Sequence, residues 1–179
     1  SMLLTERIAS VEPNGDCAVE SRSSQASLKY GELTNAIPDG MARTTVFRAN
    51  GEFVAAKGEP PTPSEVRVAR LSAFISPGKD VKVGDRWTHA FTATPTNGGI
   101  GGKAEYRIES AAKVADRSGF VVVFTVKEDG SAAPAGSQGK MWIDPENGQL
   151  LRLECDWTNA PMSGAPAPMN AKVTIAREG

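Results

Sequence analysis

Apolar and polar residues alternate along most of this chain, the period-two pattern of strands that bury one face in a sheet. Residues 5–11 read as a first strand, followed by the turn Glu12-Pro13-Asn14-Gly15-Asp16, and Cys17–Ser24 reads as a second. The pattern weakens over residues 28–39, with a short strand predicted at Ser27–Tyr30. Residues 42–48 and 52–57 form a predicted hairpin with Asn50-Gly51 at its tip. Asn-Gly between alternating runs is a strong hairpin signal, because a two-residue turn there needs φ > 0 at both positions. Lys57-Gly58-Glu59-Pro60-Pro61-Thr62-Pro63 reads as a stiff linker. The run from Ser64 to Ile75 fits a short helix capped by Ser64, with Val66, Ala69, Arg70 and Ala73 on one face. It also fits a strand; the helix reading is preferred, and Pro77-Gly78 ends the element either way.

Further along, Trp87, His89, Phe91 and Ala93 share one face of a predicted strand. Residues 103–110 form another, with Tyr106 and Ile108 inward. Residues 120–127 are apolar on both faces, which suits a central strand covered twice. Residues 130–139 read as a flexible Ala/Gly/Ser loop. Residues 141–144 and 149–157 form a second Asn-Gly hairpin. A Pro/Ala/Gly segment at 158–169 is expected to be mobile before a last strand at 170–177, with Val173 and Ile175 inward.

The order of these elements suggests an internal repeat of roughly fifty residues. Arg7-Ile8-Ala9-Ser10 opens one copy and Arg107-Ile108-Glu109-Ser110 the other, and each closes on an Asn-Gly hairpin. The second copy is preceded by the Trp87 strand, whereas the first begins almost at residue 1. A counterpart strand is therefore expected outside this sequence. The predicted fold is mainly β: a curved antiparallel sheet, half-barrel or sandwich built from two similar units, with at most one short helix. The expected organisation is one β-rich domain over residues 1–179, with a first repeat unit at 3–57, a linker and helix at 58–80, and a second unit at 81–178.

Composition narrows the function classes. Hydrophobic residues make up 40% of the chain, charged residues 23%, and the net charge is −1, with no basic stripe. That argues against nucleic acid, whose binding depends on clustered Lys and Arg. No apolar run approaches the roughly 18 residues of a membrane span. Ser1-Met2 resembles a remnant joined to an internal start. Abundant Thr, Ser, Gly and Pro with two cysteines favours an extracytoplasmic location, periplasmic, secreted or at the cell envelope, with any signal or anchor lying outside this sequence. Cys17 and Cys155 both read as core-facing, either as two buried thiols or as a disulfide joining the two copies.

One set of motifs carries a family resemblance. Val81-Lys82-Val83-Gly84-Asp85-Arg86-Trp87, Tyr106-Arg107-Ile108, and the stretch from Gly139-Lys140-Met141-Trp142-Ile143-Asp144 to Gly148-Gln149-Leu150 resemble a group of secreted bacterial β-rich domains of unknown function. The resemblance covers residues 72–178 and, more loosely, 3–57. Such domains are similar in outline to periplasmic lipoprotein carriers, in which a half-barrel sheet wraps an apolar groove. The resemblance implies export and a β fold, and transfers no catalytic residue.

Candidate chemistry is sparse. His89 is the one histidine and lies between Trp87 and Phe91 on a core face, where a satisfied structural histidine is the ordinary reading. Asn97-Gly98-Gly99-Ile100-Gly101-Gly102-Lys103-Ala104 lacks the first Gly and the Ser/Thr of a phosphate loop and reads as a hairpin loop. Asp144-Pro145-Glu146-Asn147-Gly148 has a faint calcium-loop look but lacks the alternating ligands, so a plain turn is expected. Trp142 falls on the face opposite Met141 and Ile143, where it packs or touches a ligand. No catalytic, cofactor or metal residues are nominated. The favoured expectation is an exported non-enzymatic β domain binding an apolar small molecule or a protein partner in a sheet-lined groove. A cell-envelope structural or interaction module is the alternative, and an enzyme comes third.

Overall fold

The computed structural model describes residues 2–177 apart from 26, 31, 32, 37, 38, 41, 59, 95–97, 115, 131, 163, 164 and 166. Strand accounts for 57% of the chain, in antiparallel sheets with one short helix and no closed barrel among the described residues. The chain divides into two compact units, Ser1–Pro61 and Thr62–Gly179. The boundary falls within the proline-rich run that reads as a linker.

The first unit contains β1 (Leu3–Val11), β2 (Cys17–Ser24), β3 (Ser27–Tyr30), β4 (Leu33–Ala36), β5 (Arg43–Phe47) and β6 (Phe53–Lys57). Four of these form an antiparallel sheet in the order β1-β2-β5-β6, and β3 pairs with β4 as a separate hairpin. Two rows of residues cross the sheet. Ile8 faces Val19, Val19 faces Thr45, and Thr45 faces Ala56. Val11, Cys17, Phe47 and Phe53 follow in the same way, with the two Phe rings edge to face at 6.4 Å. Bulges interrupt the β1/β2 ladder between Ile8 and Ser10 and the β5/β6 ladder between Val46 and Phe47.

The second unit is a six-stranded antiparallel meander of β7 (Arg86–Phe91), β8 (Gly102–Val114), β9 (Arg117–Glu128), β10 (Gly136–Ile143), β11 (Leu150–Ala160) and β12 (Met169–Ala176). Ile108, Val122, Met141 and Leu153 stand side by side across four of its strands, and each is at most 1% exposed. Bulges lie between Ile108 and Ser110 and between Trp142 and Ile143. On β9 the second face is covered at Val121, half-buried at Val123 and open at Thr125.

The helix α1 (Pro63–Leu71) starts two residues earlier than the Ser64 cap predicts. Thr62 is the cap: its hydroxyl accepts from the Glu65 amide, and the Glu65 carboxylate accepts from the Thr62 amide at 2.7 Å. Pro63 occupies the first helical position, where its missing N–H has no intrahelical partner to lose. The buried positions are Val66 and Leu71, whereas Ala69 is exposed and Ala73 lies beyond the cap at Ser72. The helix therefore ends at Leu71, ahead of Pro77-Gly78.

Four further expectations change. Residues 136–139 belong to β10, not to a loop. An added Cβ at Gly139 would overlap the Glu154 carbonyl and Cys155, so this glycine permits close approach of β10 to β11. β11 and β12 likewise shorten the segment expected to be mobile to residues 161–168. Ile175 is 44% exposed, and Val173 only half-buried, because β12 is the sheet edge. Neither Asn-Gly tip is a two-residue turn. Gly51 and Gly148 have positive φ, but Asn50 and Asn147 do not; each Asn side chain instead accepts from the amide two residues on, Glu52 or Gln149.

Candidate interaction surface

The apolar face of the six-stranded sheet is occupied by the protein's own chain. Leu71 and Ile75, 0% and 1% exposed, join Tyr106, Ile108, Phe124, Met141 and Leu153 in one core. The strap after α1 is tied down through its carbonyl oxygens. Ser137 Oγ donates to Leu71 at 2.5 Å, the Tyr106 hydroxyl to Ala73 at 2.8 Å, and Trp87 Nε1 to Ile75 at 2.8 Å. The Trp87 and Tyr106 rings stack at 5.2 Å, and Phe74 meets both edge-on. Burial pushes the Tyr106 hydroxyl well above its ordinary pKa, so it stays a donor.

A second tie is ionic. Arg67 Nε and Nη2 donate to the two carboxylate oxygens of Glu128 at 2.7 and 2.5 Å, and Glu128 also accepts from the Ala135 amide. The bond from Glu128 holds the Arg67 guanidinium even more firmly protonated. Arg70 donates to the Ile100 and Thr92 carbonyls and lies over the Phe91 ring at 5.2 Å. None of these partners was nominated from the sequence. The capping residues just upstream of Arg67 were the available signal, since they place Arg67 one turn into a helix.

The nominated residues are dispersed. His89 stands edge-on to Phe91 at 4.8 Å on β7. Ala93, expected on the same face, lies past the end of the strand and is exposed. Trp142 is half-buried opposite the core, with the Arg152 guanidinium over its ring at 5.3 Å. Asp144 is buried, and its carboxylate accepts from the Glu146 amide within its own turn at 2.9 Å. Thr96 and Asn97 of the glycine-rich loop lie outside the described residues, and Thr94 pairs with Gly99 across it. Both cysteines are free thiols. Cys155 is buried and its pKa is pushed up to about 11 by that burial, against a smaller opposing pull from the Trp157 indole N–H. A thiol so held is a poor nucleophile. Cys17 is half-buried.

An open depression of about 340 Å³ lies along β11 and β12, lined by Asp156, Trp157, Thr158, Asn170, Ala171 and Lys172. It is an open surface dent in which four of the six lining residues are polar, although more of its wall is apolar than polar.

The first unit differs in one strand. Every residue of β1 is exposed, and β1 is the terminal strand of its sheet. Its large aliphatic side chains are conspicuous: Leu4 is 48%, Ile8 67% and Val11 63% exposed. Arg7 donates to Glu20 of β2 at 2.8 Å, a solvent-facing pair of little energetic weight. Among the described residues no strand pairs with its outer edge, and an apolar strand with an open edge is the feature by which sheets recruit further strands. Compared with family models, curated proteins and solved structures, the chain finds no match in any of the three.

Proposed function

We propose that this chain is an exported, non-enzymatic β-rich interaction module that engages a protein partner through the sheet of its first unit. The observation that carries this reading is β1, an edge strand exposed along its whole length with Leu4, Ile8 and Val11 in water. Soluble proteins protect such strands unless something is meant to bind them. The non-enzymatic reading is supported by the uses to which the reactive side chains are put: His89 against Phe91, Cys155 held protonated, Asp144 closing its turn. Export is supported by the composition alone. The test is site-specific photo-crosslinking in the native host. A crosslinker at Ile8 is expected to trap one dominant protein, and one at Ile175 to trap none. Equal labelling from both positions would defeat the proposal.

A second reading keeps the resemblance to lipoprotein carriers, with an apolar ligand beneath the helix. It is favoured by the placement of α1 and its strap on the apolar face of the sheet. A ligand would have to displace Leu71 and Ile75. Native mass spectrometry of the purified chain is the check: a retained apolar molecule revives this reading, and a bare mass removes its support.

A further inference from the structure

The meander of the second unit gathers, on the face opposite its core, cations that lie far apart in the sequence. Like charges stand directly opposite one another there: Arg86 of β7 faces Arg107 of β8, and Lys103 of β8 faces Lys127 of β9. Lys140, Arg152 and Lys172 continue the set on β10, β11 and β12, so every strand of the sheet contributes. All seven are exposed except the half-buried Arg107. Opposed like charges cost a sheet stability, and carboxylates relieve only part of that here. Glu105 takes Lys103 at 2.6 Å, Glu109 is shared by Arg107 and Lys140 at 3.3 and 2.6 Å, and Glu154 takes Arg152. Asp156, facing Lys172 across the ladder, is the fourth carboxylate of these rows. Arg86, Lys127 and Lys172 have no ion-pair partner among the described residues. The face therefore has an excess of three positive charges in a chain whose net charge is −1. Trp142 lies half-buried on the same face, beneath the Arg152 guanidinium and beside Val121.

We propose that this face of the second unit docks on an anionic phospholipid surface. The excess charge and its layout carry the proposal. Neighbouring strands lie about 4.8 Å apart, so the cations from β7 to β12 span roughly 24 Å across the sheet. On β9 the row of Arg152 passes through Val121, and from there to Lys127 the strand runs roughly 20 Å. The cations are thus spread in two dimensions over an open sheet face. A free phosphate would meet two or three of these side chains, and an extended acidic peptide one line of them. A plane of anionic headgroups meets them together, and each cation near such a plane adds to the attraction. The Trp142 indole supplies the amphipathic ring that suits the headgroup layer. The helix and strap lie on the opposite face, so docking leaves the core untouched. The contact is peripheral and weakens with salt, because exposed charges are screened beyond about 10 Å at 0.1 M ionic strength. It uses the second unit alone and does not rest on the partner-binding reading of β1.

The test is co-sedimentation of the full chain with vesicles at low ionic strength. Vesicles of three parts phosphatidylcholine to one part phosphatidylglycerol are expected to bind it, vesicles of phosphatidylcholine alone are not, and added salt is expected to release it. Arg86→Gln and Lys127→Gln remove exposed cations without breaking an ion pair, and each is expected to weaken binding about fivefold. Arg22→Gln and Lys57→Gln, which remove exposed cations of the first unit, are expected to leave binding unchanged. Failure to bind the mixed vesicles overturns the proposal, as does equal binding to phosphatidylcholine alone. Equal weakening by the first-unit substitutions would mean that net charge, not this face, does the binding, and overturns it too. So does a polyglutamate peptide or a DNA duplex that binds the face as tightly as the vesicles at the same ionic strength, since the layout would then not select a lipid plane. A partner crosslinked through Ile8 would leave each of these outcomes unchanged.

Discussion

Two rows of four residues separate the two units. In the second unit the row is Ile108, Val122, Met141 and Leu153, and water reaches almost none of it. In the first unit the row is Ile8, Val19, Thr45 and Ala56, with Ile8 67% exposed and the other three half-buried. Both rows sit on antiparallel strands beside a bulge. What differs is the covering layer. The second unit has α1 and its strap laid over the row, while the first has no helix among its described residues. Strand formation is thus common to both, and burial depends on what is placed over the sheet. The smaller side chains of the first unit, Thr45 and Ala56, suit a face that also tolerates water.

The largest test of this contrast lies at Arg67. Arg67→Ala leaves the Glu128 carboxylate buried without its cation and is expected to cost about 3–5 kcal/mol in urea unfolding of the second unit. Replacing both partners by Met and Leu is expected to cost far less. If Arg67→Ala is neutral, the helix is not latched as described. Next comes Leu71→Ala, expected to cost about 2–5 kcal/mol by leaving a cavity under the strap. Its counterpart test, Ile8→Ala, is expected to change stability by less than about 0.5 kcal/mol, as for an exposed site. Equal losses at Leu71 and Ile8 would mean that β1 is covered after all.

Alkaline pH separates the units more gently. The Cys155 thiol and the Tyr106 hydroxyl both have raised pKa values in the folded chain. The native state therefore holds protons that the unfolded state releases, and stability falls as pH rises. The loss begins near pH 9, the ordinary value for the thiol, and continues through about 11. It is expected to reach about 2 kcal/mol for Cys155 in thermal melts, and Cys155→Ala should remove that part of the slope. Melting of the first unit over the same range should not respond to the Cys155 substitution.

Much of the β architecture was legible because alternation is a local signal. Cys17–Ser24 matches its predicted bounds, and Tyr106 and Ile108 face inward as expected. The helix start was misread because Pro63 was taken as linker, although proline is favoured at a first helical position. Residues 136–139 were misread because glycine there serves strand contact as well as it would serve a loop. The candidate surface was legible only in part: the repeat leaves β1 without the neighbour that β7 gives β8, but nothing in the sequence shows how exposed β1 is. The alternation in β1 predicts an apolar face but carries no information about whether anything covers it. The Arg67–Glu128 pair was equally hidden, since the two residues meet only when the helix lies on the sheet.

The three bonds that hold the strap have a further consequence, in the order of folding. Their donors, Trp87, Tyr106 and Ser137, come from β7, β8 and β10, and the acceptors all precede those strands in the chain. Ile75 needs only Trp87 of β7, whereas Ala73 needs Tyr106 of β8 and Leu71 needs Ser137 of β10. The strap is therefore expected to be tied down in stages, Ile75 first and Leu71 last, as contacts of growing sequence separation form. The strap is complete only once β10 has joined the sheet.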